Sequence, residues 1–432
     1  MESTTSISRS PWSWIPTLYL AEGIPYIVIN EVSTVMYKRM GIPNDEIAFY
    51  TSLIYLPWII KSLWGPIVDI LKTKRQWIVG TQLFLGLSFL GLAAVLPGSL
   101  FFRLSLAVFW LMAFGSATHD IAADGFYILS LSDQQQAFFV GIRSTFYRVA
   151  WLMGKGPLVI FAGYLEHDQI AGFGGSVTGA WTMTAVLLGF LFFLLAIYHK
   201  FVLPYPASDK AIMNTGFVRE FFRTFLTFLK KDKIGLILGF LLLYRLGEAQ
   251  LVKLVAPFLL DGRDVGGLGL TTEQLGLVYG TLGTIALTIG GLAGGFAVSR
   301  QGLRYWLWPM VLIIHLPDLV FVYLSATRPD SLAIIGAGVA FEQFGYGFGF
   351  QAYMMYMLYV SRGEHSTAHY AICTSFMALG MAIPQAFSGW IQQQLGYTNF
   401  FIWVLLATIP SFLLVRKIQI DPEFGKKTEK TA

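Results

Sequence analysis

Long apolar stretches recur from Trp14 almost to the C-terminal end, with few charges inside them, and one soluble core cannot absorb so many. The chain has 432 residues, 55% hydrophobic and 13% charged. Soluble domains carry roughly twice that charged fraction, and a single core stops growing at a few hundred residues. Apolar stretches of about 20 residues read as membrane spans. Twelve are predicted, at about 14–36, 47–68, 77–97, 102–130, 137–164, 177–199, 234–259, 271–298, 304–325, 331–360, 366–391 and 396–415. Only helices and closed barrels satisfy their backbone in hydrocarbon. These stretches are too long and too evenly apolar for alternating barrel strands. The expected fold is an all-α membrane protein of twelve transmembrane helices.

A short phrase occurs twice. Gly65-Pro-Ile-Val-Asp69 runs into Lys72, Lys74 and Arg75, and Gly295-Phe-Ala-Val-Ser299 runs into Arg300, Gly302 and Arg304. Each copy ends an apolar segment, where a glycine would let a helix leave the membrane beside a second one. Gly115 and Gly345 keep the same offset, and Gly154, Pro157 and Gly163 echo Gly380, Pro384 and Gly389. Small residues permit close helix approach, while glycine and proline let helices bend around a cavity. The chain therefore reads as two six-helix halves, the organisation of a duplicated transporter. The expected domains are an amino-terminal bundle at 1–200, a linker at 201–233, and a carboxy-terminal bundle with its tail at 234–432. Basic residues mark one side: Lys72, Lys74 and Arg75, Arg300 and Arg304, Lys200 to Lys233 in the linker, and Arg416 with Lys417. By the positive-inside rule both termini are cytoplasmic. In the linker, Arg219, Glu220, Arg223, Thr227, Lys230 and Lys231 oppose Phe217, Phe221, Phe225 and Leu229, flanked by Phe222 and Phe228. That pattern predicts an amphipathic helix anchored in the membrane interface.

Charges inside the spans are costly and imply a task or a partner. His119-Asp120-Ile-Ala-Ala-Asp124 places two carboxylates four residues apart on one helix face. They can carry protons or receive a cation, or they can accept Arg143, Arg148 or Lys155 from the next span. His119 is a further proton-carrier candidate, or a neutral hydrogen-bonded side chain. Arg245 and Glu248 either pair locally, or bind an anionic substrate and take part in coupling. Glu22, just before Gly23-Ile-Pro25, and Glu342 are cavity candidates, whereas Glu31 and Lys61 read as pairing or rim residues. Tyr26, Tyr147 and Trp151, with Phe126, Tyr346 and Tyr353, can line a sugar or peptide path, or simply pack. Gly65, Asp69, Lys72, Arg75, Gly295, Arg300 and Arg304 are gate candidates. His369 reads best as structural.

Other classes fit poorly. The net charge of +5 is scattered over connecting segments, so nucleic-acid binding is not expected. One cysteine, Cys373, excludes an internal disulfide and a cysteine-rich metal site. No phosphate-binding glycine loop points to ATP. No basic n-region with a cleavage site precedes the first span, so no removed signal peptide is expected. No enzyme activity, metal or cofactor is expected, and a receptor would lack a sizeable extramembrane domain.

Several phrases together are narrower than the repeated one: Lys61-Ser-Leu-Trp64-Gly65-Pro66-Ile-Val-Asp69, Ser116-Ala-Thr-His119-Asp120-Ile-Ala-Ala-Asp124, Tyr147-Arg148, Leu243-Tyr-Arg245-Leu-Gly247-Glu248-Ala249 and Thr281-Leu-Gly283. With them the chain resembles the AmpG-like muropeptide permeases of the major facilitator superfamily over nearly all twelve spans. The resemblance implies an importer in the bacterial inner membrane; a monomer is the simplest expectation, and the sequence leaves the oligomeric state open. Its driving force would be the proton gradient, its cargo a muropeptide or related amino-sugar fragment, and its other partners protons and membrane lipids. It implies coupling or binding at Asp120 and Asp124, with Arg148, Arg245 and Glu248 as further cavity residues. Carboxylates supply protonation sites, and arginine binds carboxylates bidentately. Ile70 stands where the family's gate arginine is usual, Lys72 where a glycine is, and His119 where an amide is expected. Another oligosaccharide, peptide or organic anion is accordingly the alternative cargo.

Overall fold

The computed structural model describes residues 10–65, 68, 71–167, 175–207, 209, 225–362 and 366–425. Every regular element among them is helical. The chain divides into two compact units, one of residues 1–36 and 54–218, the other of 37–53 and 219–432.

The first unit contains α1 (Ile15–Ile27), most of α2 (Ser33–Arg39), α4 (Leu56–Ile60), α5 (Lys74–Val95), α6 (Phe101–Ser130), α7 (Asp133–Met153), α8 (Val159–His167) and α9 (Val177–Val202). The second contains α3 (Asn44–Leu53), α10 (Ile234–Leu243), α11 (Leu246–Leu260), α12 (Thr284–Gln301), α13 (Leu303–His315), α14 (Leu319–Thr327), α15 (Leu332–Val360), α16 (Ser366–Ala407) and α17 (Ile409–Val415). Capping boxes at Thr73/Gln76, Ser132/Gln135 and Thr271/Gln274 start three of the helical segments by satisfying their free N–H groups.

Seven helical spans among the described residues are long and apolar enough to cross a membrane. Large apolar side chains such as Leu87, Phe190, Leu194, Phe296 and Trp390 stand exposed on them, as lipid-facing residues would. The last span, His369–Val415, holds two of the expected ones, which turn at Gly396, φ 71°. The chain is a multi-spanning all-α membrane protein.

Several expected spans are not single α-helices, and the departures place the charges. The first passes through a π-helical stretch, Val28–Val32, and the fifth through another, Gly154–Leu158. Such bulges often accompany functional sites. The second ends in short α4, which has Pro57 near its N-terminus, and a 3₁₀ turn at Lys61–Leu63. Its first part, α3, packs on α16 in the second unit. The ninth breaks into α13 and α14 around a 3₁₀ turn, Leu316–Asp318.

Close helix approach is not carried by the glycines of the repeated phrase, whereas a Cβ at the echoing Gly154, Gly345 and Gly389 would come within 2.4, 2.5 and 2.2 Å of a neighbouring helix. A Cβ added at Gly65 or Gly295 would meet nothing within 4 Å. At Gly290 and Gly294 it would fall 2.2 Å and 2.5 Å from the carbonyl oxygens of Phe344 and Phe348, so these two seat α12 on α15. The linker expectation falls largely outside the described residues. In its described end Phe228 is buried with its ring 5.5 Å from His369, and Thr227 hydrogen-bonds that histidine at 3.1 Å.

Candidate functional site

In the first unit, α6 carries Asp120 and Asp124 on one face, and the two take different partners. Asp120 pairs with Lys61 Nζ, delivered by the 3₁₀ turn after α4. Asp124 Oδ1 accepts from Arg143 Nη1 at 2.9 Å and from the Tyr19 hydroxyl at 3.1 Å. Arg143 also donates to Tyr19 Oη at 2.9 Å and lies over the Tyr127 ring. Glu22 from α1 lies beside Asp120 as a third acid of this cluster.

Close packing of α1 on α7 holds Glu22 there, since a Cβ on Gly23 would come 2.6 Å from that of Ala150. Beside it stands an aromatic wall. Tyr26 stacks on Trp151 at 5.7 Å, meets Trp58 at 5.2 Å and Tyr147 at 6.3 Å, and donates to the Tyr55 hydroxyl at 3.0 Å. The structure thus brings together Glu22, Asp120, Asp124, Tyr26, Tyr147 and Trp151. It adds Lys61, Tyr55 and Trp58, which arrive through the broken second span. Arg148 is exposed, and the cations on the two aspartates are Lys61 and Arg143 instead. Lys155 pairs with Glu31 at 3.5 Å, each supplied by one of the two π-helical stretches.

His119 is turned into a different network. Thr17 Oγ1 lies 3.0 Å from His199 Nε2, His199 Nδ1 lies 2.9 Å from Gln82 Oε1, and Gln82 Nε2 lies 2.9 Å from His119 Nε2. Gln82 Nε2 can only donate, so His119 Nε2 accepts and that imidazole is neutral, whereas the Thr17 hydroxyl can donate to His199 or accept from it. This is the hydrogen-bonded alternative for His119.

In the second unit, Arg245 caps the break between α10 and α11. Its Nε meets Glu248 Oε2 at 2.6 Å, and its Nη2 meets Oε1 at 3.0 Å, a bidentate pair. The same guanidinium donates to Tyr346 Oη at 2.5 Å and covers the Phe350 ring at 4.7 Å. Glu342 is buried on α15 and accepts from Gln343 Nε2 at 3.0 Å. A network that the motifs did not suggest ties α3 into this unit. Lys38 Nζ meets Asp261 Oδ1 at 2.5 Å, Asn44 Nδ2 donates to Gln392 Oε1 and Tyr397 Oη at 2.9 Å each, and Tyr397 Oη donates to Asp261 Oδ2 at 2.5 Å.

The gate candidates divide. Asp69 lies outside the described residues. Arg75 donates to the carbonyl oxygens of Lys200 and Leu203 and lies 3.8 Å from the centre of the Tyr205 ring. The carboxylate that caps the neighbouring helix is Asp209, which accepts from the backbone N–H of Lys74 at 2.7 Å and of Arg75 at 3.1 Å. An anion at a helix start is favoured by the free N–H groups and the helix dipole. Lys72, Arg300 and Arg304 are exposed, with Arg300 over its own Phe296 at 4.4 Å. No group of three or more metal-ligating side chains occurs among the described residues.

Buried ion pairs lie on broken, membrane-crossing helices, and the class is a multi-spanning membrane protein whose major facilitator fold is shared with the solved transporters below. Residues 22–220 match the BT1 family. The anhydromuropeptide permease of Escherichia coli (strain K12) is 26% identical over 406 residues, covering 92% of this chain and 77% of that protein. A mutant form of the nucleoside transporter NupG superposes with a TM-score of 0.70 at 13% identity, covering 93% of this chain and 97% of the other. A D-xylose-proton symporter gives 0.67 at 13%, covering 96% and 98%. The chain is related to AmpG-like and BT1 proteins at moderate identity.

Proposed function

We propose that the chain is a proton-coupled importer of muropeptides or related amino-sugar cell-wall fragments, working by alternating access in the bacterial inner membrane. The observation that carries this reading is the Glu22–Asp120 carboxyl pair, held by Lys61 beside the aromatic wall of Tyr26, Trp58, Tyr147 and Trp151. Two buried carboxyls side by side offer a place for a proton, which is the chemistry a symporter needs, because like charges repel in an apolar setting. An aromatic face covers the apolar side of a pyranose ring, and tyrosine hydroxyls at its edge bond sugar hydroxyls. The name of the 26% identical permease supports the cargo. The reading includes twelve transmembrane helices in two six-helix halves, bundles at 1–200 and 234–432 joined by the 201–233 link, and both termini in the cytoplasm. Asp124 is the second coupling carboxylate. Arg148, Arg245, Glu248 and Glu342 are substrate or coupling residues of the cavity, and the repeated phrase is its cytoplasmic gate.

Proteoliposome uptake tests it. Labelled N-acetylglucosaminyl-anhydromuramyl peptide should accumulate with an inward proton gradient, and accumulation should vanish in Asp120→Asn and Glu22→Gln. Folded protein with no flux above empty liposomes rejects the muropeptide assignment. A panel of chitin-type oligosaccharides, free peptides and organic anions then identifies the alternative cargo. Accumulation that persists when the gradient is collapsed removes proton coupling.

A further inference from the structure

The ninth expected span breaks in its middle, and a carboxylate is buried at the break. Pro317 lacks the N–H that would continue α13, and the chain turns through Leu316–Asp318 before α14 begins. Asp318 is 1% exposed, and neither of its carboxylate oxygens has a hydrogen-bond partner. An isolated buried carboxylate is too costly to persist as an anion. Natural proteins keep such a group for a partner or a task.

The surroundings supply no cation among the described residues. Glu342 on α15 and Glu248 on α11 are the charged groups close enough to act on Asp318, and both are acidic. The nearby guanidinium of Arg245 is held bidentately by Glu248. His315, buried at the same break, lies with its ring 6.0 Å from Tyr244 and 5.8 Å from Phe412. α16, which also packs on the turn, contains no Asp, Glu, Lys or Arg between Ser366 and Ala407. The packing leaves no slack. A Cβ on Gly345 would come 2.5 Å from the Ile313 carbonyl oxygen and 2.6 Å from Pro317 Cγ, so α15 holds Glu342 against the break one turn away.

A discontinuous membrane helix with a buried acid at its break is the usual architecture of an ion site in transporters. We propose that Asp318, with Glu342 across from it, is a second proton-binding site, lying in the second unit and separate from the Glu22–Asp120 pair. The step is the reversible transfer of one proton from water to the Asp318 carboxylate, giving the neutral acid. Glu342 sets its readiness, because a negative charge on either acid disfavours one on the other. The proposal needs no assumption about the cargo, and the muropeptide reading can fail without touching it.

The test uses the full-length wild-type chain in lipid nanodiscs without substrate. An apolar carbodiimide reacts with protonated carboxyl groups in apolar settings, and peptide mass mapping locates the adduct. The adduct is expected on Asp318, decreasing roughly tenfold per pH unit once the proton is lost. Exchanging choline for sodium should not change it; protection by sodium would make this a metal-cation site and overturn the proposal. In parallel, pH-difference infrared spectra should lose one protonated-carboxyl band in Asp318→Asn and shift that band in Glu342→Gln. If Asp318→Asn does not fold, the wild-type adduct and the Glu342→Gln spectrum carry the test. No adduct on Asp318 together with unchanged infrared bands in the folded variants overturns it.

Discussion

The acidic clusters of the two units solve the same problem in opposite ways. In the first, each aspartate has its own cation, Lys61 for Asp120 and Arg143 for Asp124, and the acid left over, Glu22, leans on Asp120. In the second, the cation Arg245 is locked to Glu248, three residues along the same helix, and Asp318 is left with acids. The first arrangement can trade a proton for a salt bridge and so respond to what enters the cavity. The second holds a fixed pair beside a site that only a proton can quiet. A pairing within one helical turn is legible as a motif; pairings across helices depend on where the helices break.

That contrast can be broken most directly at Arg245. Arg245→Gln leaves Glu248 fully buried and uncompensated, which should cost about 3–5 kcal/mol and lower the thermal midpoint in detergent. Arg245→Gln with Glu248→Gln should recover most of the loss, and failure of that rescue would mean the pair is not the source of it. Between this variant and the milder ones lies Gly345→Ala, where the new methyl meets the Ile313 carbonyl oxygen and should cost about 1–3 kcal/mol. Lys61→Gln should cost less than Arg245→Gln, because the Lys61 side chain is 37% exposed whereas Glu248 is fully buried. A loss there equal to that of Arg245→Gln would erase the distinction between the units. Tyr397→Phe removes the hydroxyl shared by Asn44 and Asp261 and should cost about 1 kcal/mol, read as a fall in midpoint with retained folding. Smallest is Gly295→Ala, which has open space for the methyl and should stabilise α12 by up to about 1 kcal/mol.

Hydropathy was enough to place the chain among multi-spanning all-α membrane proteins, and the i,i+4 spacing of Asp120 and Asp124 was enough to find the centre of the first cluster. Arg245 and Glu248 were legible for the same reason, as neighbours on one turn. The partners were harder. Lys61 reaches Asp120 because the second span breaks after Leu53, and a periodic reading carries it through as one helix. Arg143, rather than Arg148, serves Asp124, although the two arginines differ in sequence by little more than one turn. The membership of Tyr37–Leu53 in the second unit is invisible locally, since the contacts of Asn44 lie with Gln392 and Tyr397. Asp318 had a signal that could have found it: His315-Leu-Pro317-Asp318 interrupts an apolar run with two titratable residues and a proline. Asp209 had none, as nothing nearby in sequence announces a cap for a helix that starts at Lys74.

The two π-helical stretches in the first unit have a consequence for descent. Each is a helix carrying more residues than its length requires, so each marks a place where an insertion was absorbed without breaking the span. One residue added or removed turns everything downstream by about 100°. A π-helical stretch takes up that turn locally, so deleting a residue within Gly154–Leu158 would straighten it to α-helix, leave α8 in register and move Lys155 relative to Glu31. Relatives that differ here by a single residue would present a different lining from nearly the same letters. Counting residues through these stretches, as well as reading their chemistry, tells which side chains two such chains hold in the same place.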